Sequence, residues 1–327
     1  MRRQQSGLAL LIVLLIFAVV SVLATVLIER QAKDIQRTTA QLARQQAQAF
    51  LHGIDSVVRS GLYMDWDNDP DIDHGLEEWA IDRTFPMDEG QVFIRMVDAQ
   101  GKFNLNWLAP AASNQSVWQQ RLYNLLNDLG LDVTIAERLA DWMDAESQVE
   151  NDYMSLEPPY RPAYQICKHT SDLMLLEGVD TDTYYALEPY VTCLPVTTQL
   201  NINTASELVM SALDANFSIT DAQAVVSARG DSGLASVSDF LDLDEVKGFV
   251  SGSSNSNDSK WTESDFTVKS EYFEVFGRVD IGTSGDWFGT NEFLLKRDAD
   301  SGNFRTLYRD YSRREARRLP ELPNTTP

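Results

Sequence analysis

The feature that most constrains this chain is its start: Leu8 to Ile28 is a run of 21 residues without one ionisable side chain. At about 1.5 Å per helical residue, that run reaches the roughly 30 Å of a bilayer core. A cleaved secretory signal has a shorter apolar region followed by a small-residue site; here Glu29-Arg30-Gln31 follows instead. Arg2 and Arg3 precede the run and hold that end on the cytoplasmic side. Everything after Ile28 then lies across the membrane, in a Gram-negative cell in the periplasm. The helix does not stop at the membrane surface. From Glu29 to Arg59 there is no proline, and Gly53 is the only glycine. Ile28, Ile35, Leu42 and Ala49 recur every seven residues, with Ala32, Ala43, Phe50, Ile54 and Val57 beside them. This pattern predicts one continuous amphipathic helix whose apolar stripe meets a coiled-coil partner or a sheet of the same chain.

The chain has 327 residues, 43% of them hydrophobic, enough for two modest domains or one large one. Its formal charge is −22, a field that repels nucleic acid and anionic lipid. Counting residues 104–258 gives 23 acidic and 6 basic side chains, so this block carries most of the excess. Cys167 and Cys193 are the whole cysteine complement. They stay separate thiols in a reducing compartment and can pair in an oxidising one, which the periplasmic placement favours. No CxxC or Cys/His spacing points to zinc.

Strand patterns flank the acidic block. QVFIRMVDAQGKFNLN (91–106) reads as two short strands around a turn, and TVKSEYFEVFGRVDIG (267–282) as a longer strand. EFLLKRDADSGNFRTLYRDYS (292–312) reads as a hairpin around Asp-Ala-Asp-Ser-Gly-Asn. These pieces predict an antiparallel sheet able to receive the N-terminal stripe. The block between them reads mostly helical. SGSSNSNDS (251–259) is a flexible loop by composition, and RREARRLPELPNTTP a mobile tail.

A short basic leader ending at Gly7, an apolar helix from Leu8 and a polar amphipathic extension together resemble type IV pilins and pseudopilins. That resemblance implies cleavage by a prepilin peptidase between Gly7 and Leu8, with N-methylation of Leu8. The class carries Glu at the fifth mature position, where this chain has Ile12. A carboxylate buried in a membrane persists where a partner charge meets it. A subunit without it suits the end of a filament.

The segments KFNLNWL, LADWMDAE, PPYRPAYQ, SDLMLLEGV, CLPVTTQLNINTA and SARG, in that order, resemble the minor pseudopilin K (GspK) family of type II secretion. The resemblance implies an α+β, type IV pilin-like fold with a large inserted α-helical domain. The implied division is leader 1–7, membrane helix 8–28, pilin-like parts 29–106 and 259–315, insertion 107–258 and tail 316–327. It implies a non-enzymatic subunit at the tip of a periplasmic pseudopilus, anchored by a single pass in the inner membrane. Minor pseudopilins I and J are the implied partners, and through them minor pseudopilin H and the major pseudopilin G. Exoprotein cargo and the secretin are further possible contacts. The resemblance also implies structural calcium in the insertion, on the stretch DWMDAESQVENDY with Asp141, Asp144, Glu146, Glu150 and Asp152. Calcium takes six to eight oxygens, which such a loop can supply. A second acidic run, MDWDNDPDID, places Asp65, Asp67, Asp69, Asp71 and Asp73 at alternate positions. Pro70 stands where an EF-hand needs Gly and Leu76 where it needs Glu, so the run reads as an exposed acidic turn.

Two other functional readings have residues to their name. LNINTASELVMSAL followed by DAQAVVSARG and SVSDFL resembles a helix-hairpin-helix element. Thr204 or Ser206 would cap its first helix, and Ser236 or Ser238 would start the last. Such hairpins commonly bind DNA phosphates, as in a minor pilin for DNA uptake, but the basic residues that binding needs are missing here. GDSG at 230–233 resembles a serine-protease nucleophile region. His52, His74 and His169 lie in no context that supports a triad around Ser232.

Overall fold

The computed structural model describes residues 5–88, 90–250, 261–282 and 287–311. The first four leader residues, the 251–259 loop and the chain from 312 onward lie outside the described residues. Helix α1 (Gln5–Asn68) runs unbroken from the apolar segment into the globular part. Behind it, β1 (Arg83–Met87), β2 (Gly90–Asp98), β7 (Tyr272–Ile281), β8 (Trp287–Arg297) and β9 (Phe304–Asp310) form one sheet. Its order is β1-β2-β7-β8-β9, and every neighbouring pair is antiparallel. The β8–β9 hairpin turns through 298–303, and Gly302 takes a positive φ of 65° there against the Trp66 ring.

Strands β2 and β7 pair directly although the chain between them forms a second body. That body holds α2 (Gln115–Asp128), α3 (Ile135–Met143), α4 (Glu150–Met154), α5 (Thr181–Leu187), α6 (Glu207–Ser211), α7 (Ile219–Ala228) and α8 (Val237–Leu241). Two short parallel ladders tie it together: β3 (Phe103–Asn104) with β4 (Val191–Thr192), and β5 (Leu200–Asn201) with β6 (Phe266–Thr267). Its core runs from Phe103 to Phe266, wider than the 107–258 block read from the sequence. The two strands expected at 91–106 form, but they pair with different partners rather than with each other. A single 3-10 turn at Ala99–Gly101 follows β2, and the two residues of β3 leave the sheet to pair with β4.

The stripe of α1 also differs from its heptad reading. The buried residues are Ala43, Ala47, Leu51, Ile54, Val58 and Leu62, spaced by four, four, three, four and four as a straight helix on a sheet requires. Ile28, Ile35, Leu42, Phe50 and Val57 are exposed. They lie outside the arc that faces the strands. On the sheet, Phe273, Val275, Val279, Ile281, Phe293 and Leu295 meet α1, while Tyr272 and Leu294 face Leu194 of the insertion. This alternation is the period of two of a strand. Two glycines let helix and sheet approach closely. A Cβ at Gly277 would lie 2.6 Å from Ile54 Cδ1, and one at Gly289 3.0 Å from Leu51 Cδ1. Between them the buried Asn291 donates through Nδ2 to the Leu51 carbonyl, 3.1 Å. On the β9 side, Arg59 donates to the Phe304 carbonyl at 2.6 Å, and Asp55 lies 3.0 Å from both Arg59 and Arg309.

Buried asparagines organise the insertion where the sequence shows only short motifs. Asn106 donates through Nδ2 to the carbonyls of Cys167 (2.9 Å) and Leu194 (2.8 Å) and accepts from the Cys167 amide (2.7 Å). Asn104 accepts from the Leu194 amide, 3.0 Å. These bonds hold the two segments that carry Cys167 and Cys193, which are joined as a disulfide with their Cα atoms 5.5 Å apart. Next to the bridge, His169 reaches back to the sheet, its Nε2 3.7 Å from Glu292 Oε1. The Glu292 carboxylate raises the His169 imidazole above its ordinary value. Burial pushes Glu292 upward, but His169, Lys102 and Tyr308 together outweigh it and the carboxyl stays below its usual range.

Two outcomes follow for the full chain in detergent. By chemical denaturation, Leu51→Ala should cost about 2–5 kcal/mol and Gly277→Ala about 1–3 kcal/mol. Ile35→Ala should stay within about 0.5 kcal/mol, and equal losses at Leu51 and Ile35 would contradict this packing. The His169–Glu292 pair has a raised imidazole and a lowered carboxyl. Its contribution is complete between the ordinary values of 4.5 and 6.5. It fades as pH rises through the His169 value or falls through the Glu292 value. His169→Gln should therefore cost about 0.5–1 kcal/mol near pH 5.5 and much less at pH 9; a pH-independent loss would refute the pair.

Candidate functional site

Three surfaces of the described residues carry the functional features. The first is α1 itself. Its most apolar 18-residue window has a mean hydropathy of 3.2 and none of it is buried, so by length and composition the helix can cross a membrane. Gly7 and Leu8 lie within its first turns. Ile12 is 50% exposed. Ile28, Ile35 and Leu42 continue this bare apolar side below the window. Where α1 reaches the sheet, a cavity of about 430 Å³ opens beside Val57, Met64, Trp79, Phe85 and Met96.

The second surface is the loop after α3. Asp141 lies half-buried in the last turn of that helix, and its carboxyl is pushed up by burial and by the nearby Glu137 and Asp144. Asp144 caps the turn, accepting from the Glu146 amide at 2.9 Å. The Ser147 hydroxyl donates to the carbonyls of Asp141 (2.7 Å) and Asp144 (2.8 Å). Glu150 pairs with Arg161 at 3.0 Å, and Asp152 is exposed on α4. None of these five carboxylates belongs to a group of three within ligand spacing among the described residues. The sequence brings them close along the chain. The Ser147 hydroxyl takes the carbonyls of Asp141 and Asp144, and Arg161 takes Glu150.

The third lies at the foot of α1, in the run read as an exposed acidic turn. Asp67, Asp69 and Asp71 are exposed, but Asp65 is half-buried and Asp73 is buried. Pro70 disfavours helix at the residue before it, so the chain leaves α1 and turns back. Asp73 then enters the junction between sheet and insertion. Its Oδ2 accepts from the Ser270 amide at 2.7 Å and from Arg297 Nη2. Its carbonyl accepts from Asn201, 3.1 Å. Glu77 comes alongside, its Oε2 accepting from the His74 amide (3.2 Å) and the Trp79 indole. Burial, reinforced by the crowding of like charges, pushes Asp65 up to about 6 and Glu77 up to about 7. Burial also raises Asp73. Alternation of Asp along the run gave no sign of this meeting, because Glu77 lies outside it and Asp65 still belongs to the helix.

The hairpin element has its expected caps: the hydroxyls of Ser206 and Ser236 accept from Val209 and Asp239. Helix α7 starts at Ile219, where Ser218 and Asp221 form a capping box. Arg229, the one basic residue of the motif, turns inward and donates to the Ala205 carbonyl at 2.7 Å. Burial lowers its guanidinium to about 10. The element therefore offers no basic face to a phosphate backbone.

Comparison with known proteins gives one answer along the whole chain. Residues 101–196 and 200–259 match two family models, both described as type II secretion system protein K. The chain is 34% identical to the type II secretion system protein K of Pseudomonas aeruginosa, over 95% of this chain and 94% of that protein. It is 33% identical to that of Pectobacterium carotovorum, over 87% and 91%. Among solved structures, it superposes on a chain of the GspK-GspI-GspJ complex of enterotoxigenic Escherichia coli with a TM-score of 0.71 and 26% identity. That match covers 84% of this chain and 99% of the other.

Proposed function

A chain with these likenesses belongs to the type II secretion system protein K family, and from that premise we propose that it is the tip subunit of the pseudopilus. Its role as a minor pseudopilin in type II secretion rests on the named relatives and the structural match. The observation that carries the finer reading is the near-complete superposition on a chain of a three-pseudopilin complex. In this reading the protein binds minor pseudopilins I and J, and through them H and the major pseudopilin G. It starts and caps the filament that drives protein export across the outer membrane.

Three features support the tip position. Ile12 supplies no carboxylate to a neighbouring subunit's amino terminus. The exposed apolar side of α1, from the membrane window through Leu42, needs cover, which neighbouring helices in a bundle provide. The insertion between β2 and β7 is bulkier than the sheet it sits on, and a subunit of that shape has room above the stack rather than within it. Prepilin peptidase cuts between Gly7 and Leu8 and Leu8 becomes N-methylated. The chain then stays in the inner membrane by a single pass, with its amino terminus cytoplasmic and its body periplasmic. The role requires no chemistry from the chain itself.

Co-expression with the cognate minor pseudopilins tests the reading. The protein should co-purify with I and J as one complex, and its failure to bind either would sink the tip assignment. Mass spectrometry of the mature protein should find N-methyl-Leu8 at the amino terminus. An intact leader in a strain with active prepilin peptidase would remove the pilin-type processing.

A further inference from the structure

Asp65, Asp73 and Glu77 come from the end of α1, the turn after it and the segment leading to β1, and they meet at one point. One carboxylate oxygen of each lies within 4.8 Å of the other two. Asp65 Oδ2 and Asp73 Oδ1 are sealed from solvent and accept no hydrogen bond, and the Asp73 side chain is only 1% exposed. Buried carboxylate oxygens are normally satisfied, and an unpartnered one signals a missing water or ion. With Oδ2 of Asp73 held by Ser270 and Arg297, Oδ1 is the atom left to accept.

Charge and donor type decide which partner fits. Arg297 is the buried cation of the site, donating to Asp73 Oδ2 and, at 2.6 Å, to the Ser270 carbonyl. Three carboxylates against one guanidinium leave two negative charges, the complement of a divalent cation. Lys269 stands outside, half-exposed, 4.0 Å from Asp71. His74 cannot serve as a nitrogen ligand as it stands. Its Nδ1 accepts from the Leu76 amide (3.3 Å), which leaves the ring proton on Nε2, 3.6 Å from Glu77 Oε1. The donor set is therefore all oxygen, which selects a hard cation over zinc. Calcium bonds of about 2.3–2.6 Å place ligand atoms on opposite sides of one ion roughly 5 Å apart, and calcium tolerates irregular geometry. The present separations need only small movements to close around it.

We propose that Asp65, Asp73 and Glu77 ligate a calcium ion that fastens the end of the N-terminal helix to the junction of sheet and insertion. The site is separate from the 141–152 loop and does not depend on the tip assignment.

The full-length protein in detergent tests this by metal content and thermal unfolding. After stripping with a chelator and dialysis against calcium chloride, wild type should hold one more calcium per chain than the Asp65→Asn/Glu77→Gln variant. Asp73 is left in place because Arg297 depends on it. Chelation should lower the wild-type melting temperature and leave that of the double variant unchanged. An Asp141→Asn/Asp144→Asn variant should keep the ion. Equal calcium content in wild type and the double variant would overturn the proposal, as would loss of the same ion from the loop variant. Wild type alone is decisive if the double variant does not fold: a melting temperature indifferent to calcium assigns the cluster a shared proton and ends the proposal.

Discussion

A buried knot of polar side chains holds the two ends of the insertion together, and the sheet depends on it. Asp98 closes β2 and Ser270 precedes β7, and these two strands can pair side by side only if the chain returns to where it left. Asp98 Oδ2 accepts from Ser270 Oγ (2.6 Å), Asn201 Nδ2 (2.9 Å) and Thr204 Oγ1. Its Oδ1 accepts from the Gln100 amide, 2.8 Å. Burial pushes the Asp98 carboxyl up to about 6 while these donors pull against it. Asp73 and Arg297 extend the knot to the end of α1 and the end of β8. One cluster thus joins five parts of the chain, and a buried polar network of this kind is stabilising only when its members are satisfied.

The same economy shapes α1. Its narrow buried arc, with Gly277 and Gly289 beneath it, lets the helix lie directly against β7 and β8. The rest of its circumference stays bare over most of its length. Within one chain that is an unfavourable exposure, and within a bundle of like helices it is a contact surface. The apolar window of α1 and the bare apolar side below it are therefore one continuous surface of the helix.

The insertion shows how short motifs acquire meaning. The asparagines of KFNLNWL and LNINTA are the buried anchors of the disulfide segments and of the junction. The 141–152 loop shows the reverse. Its acidic density invites a cation, but local hydrogen bonds and Arg161 arrange those groups without gathering three of them at one point.

The sequence by itself determined the long N-terminal helix, its apolar run, the β8–β9 hairpin and the helical character of the acidic block. These depend on periodicity and turn residues that act within a few positions. Tertiary structure decided which arc of α1 is buried, because helix and heptad periods agree over one or two turns and only contact with β7 and β8 selects between them. It also decided that β3 leaves the sheet, and that Asp65, Asp73 and Glu77 meet while the alternating aspartates between them stay in water. The place of Asp73 depends on Arg297, Ser270 and Asn201, residues more than a hundred positions away, and that of β3 on Val191 and Thr192, whose approach no local pattern encodes.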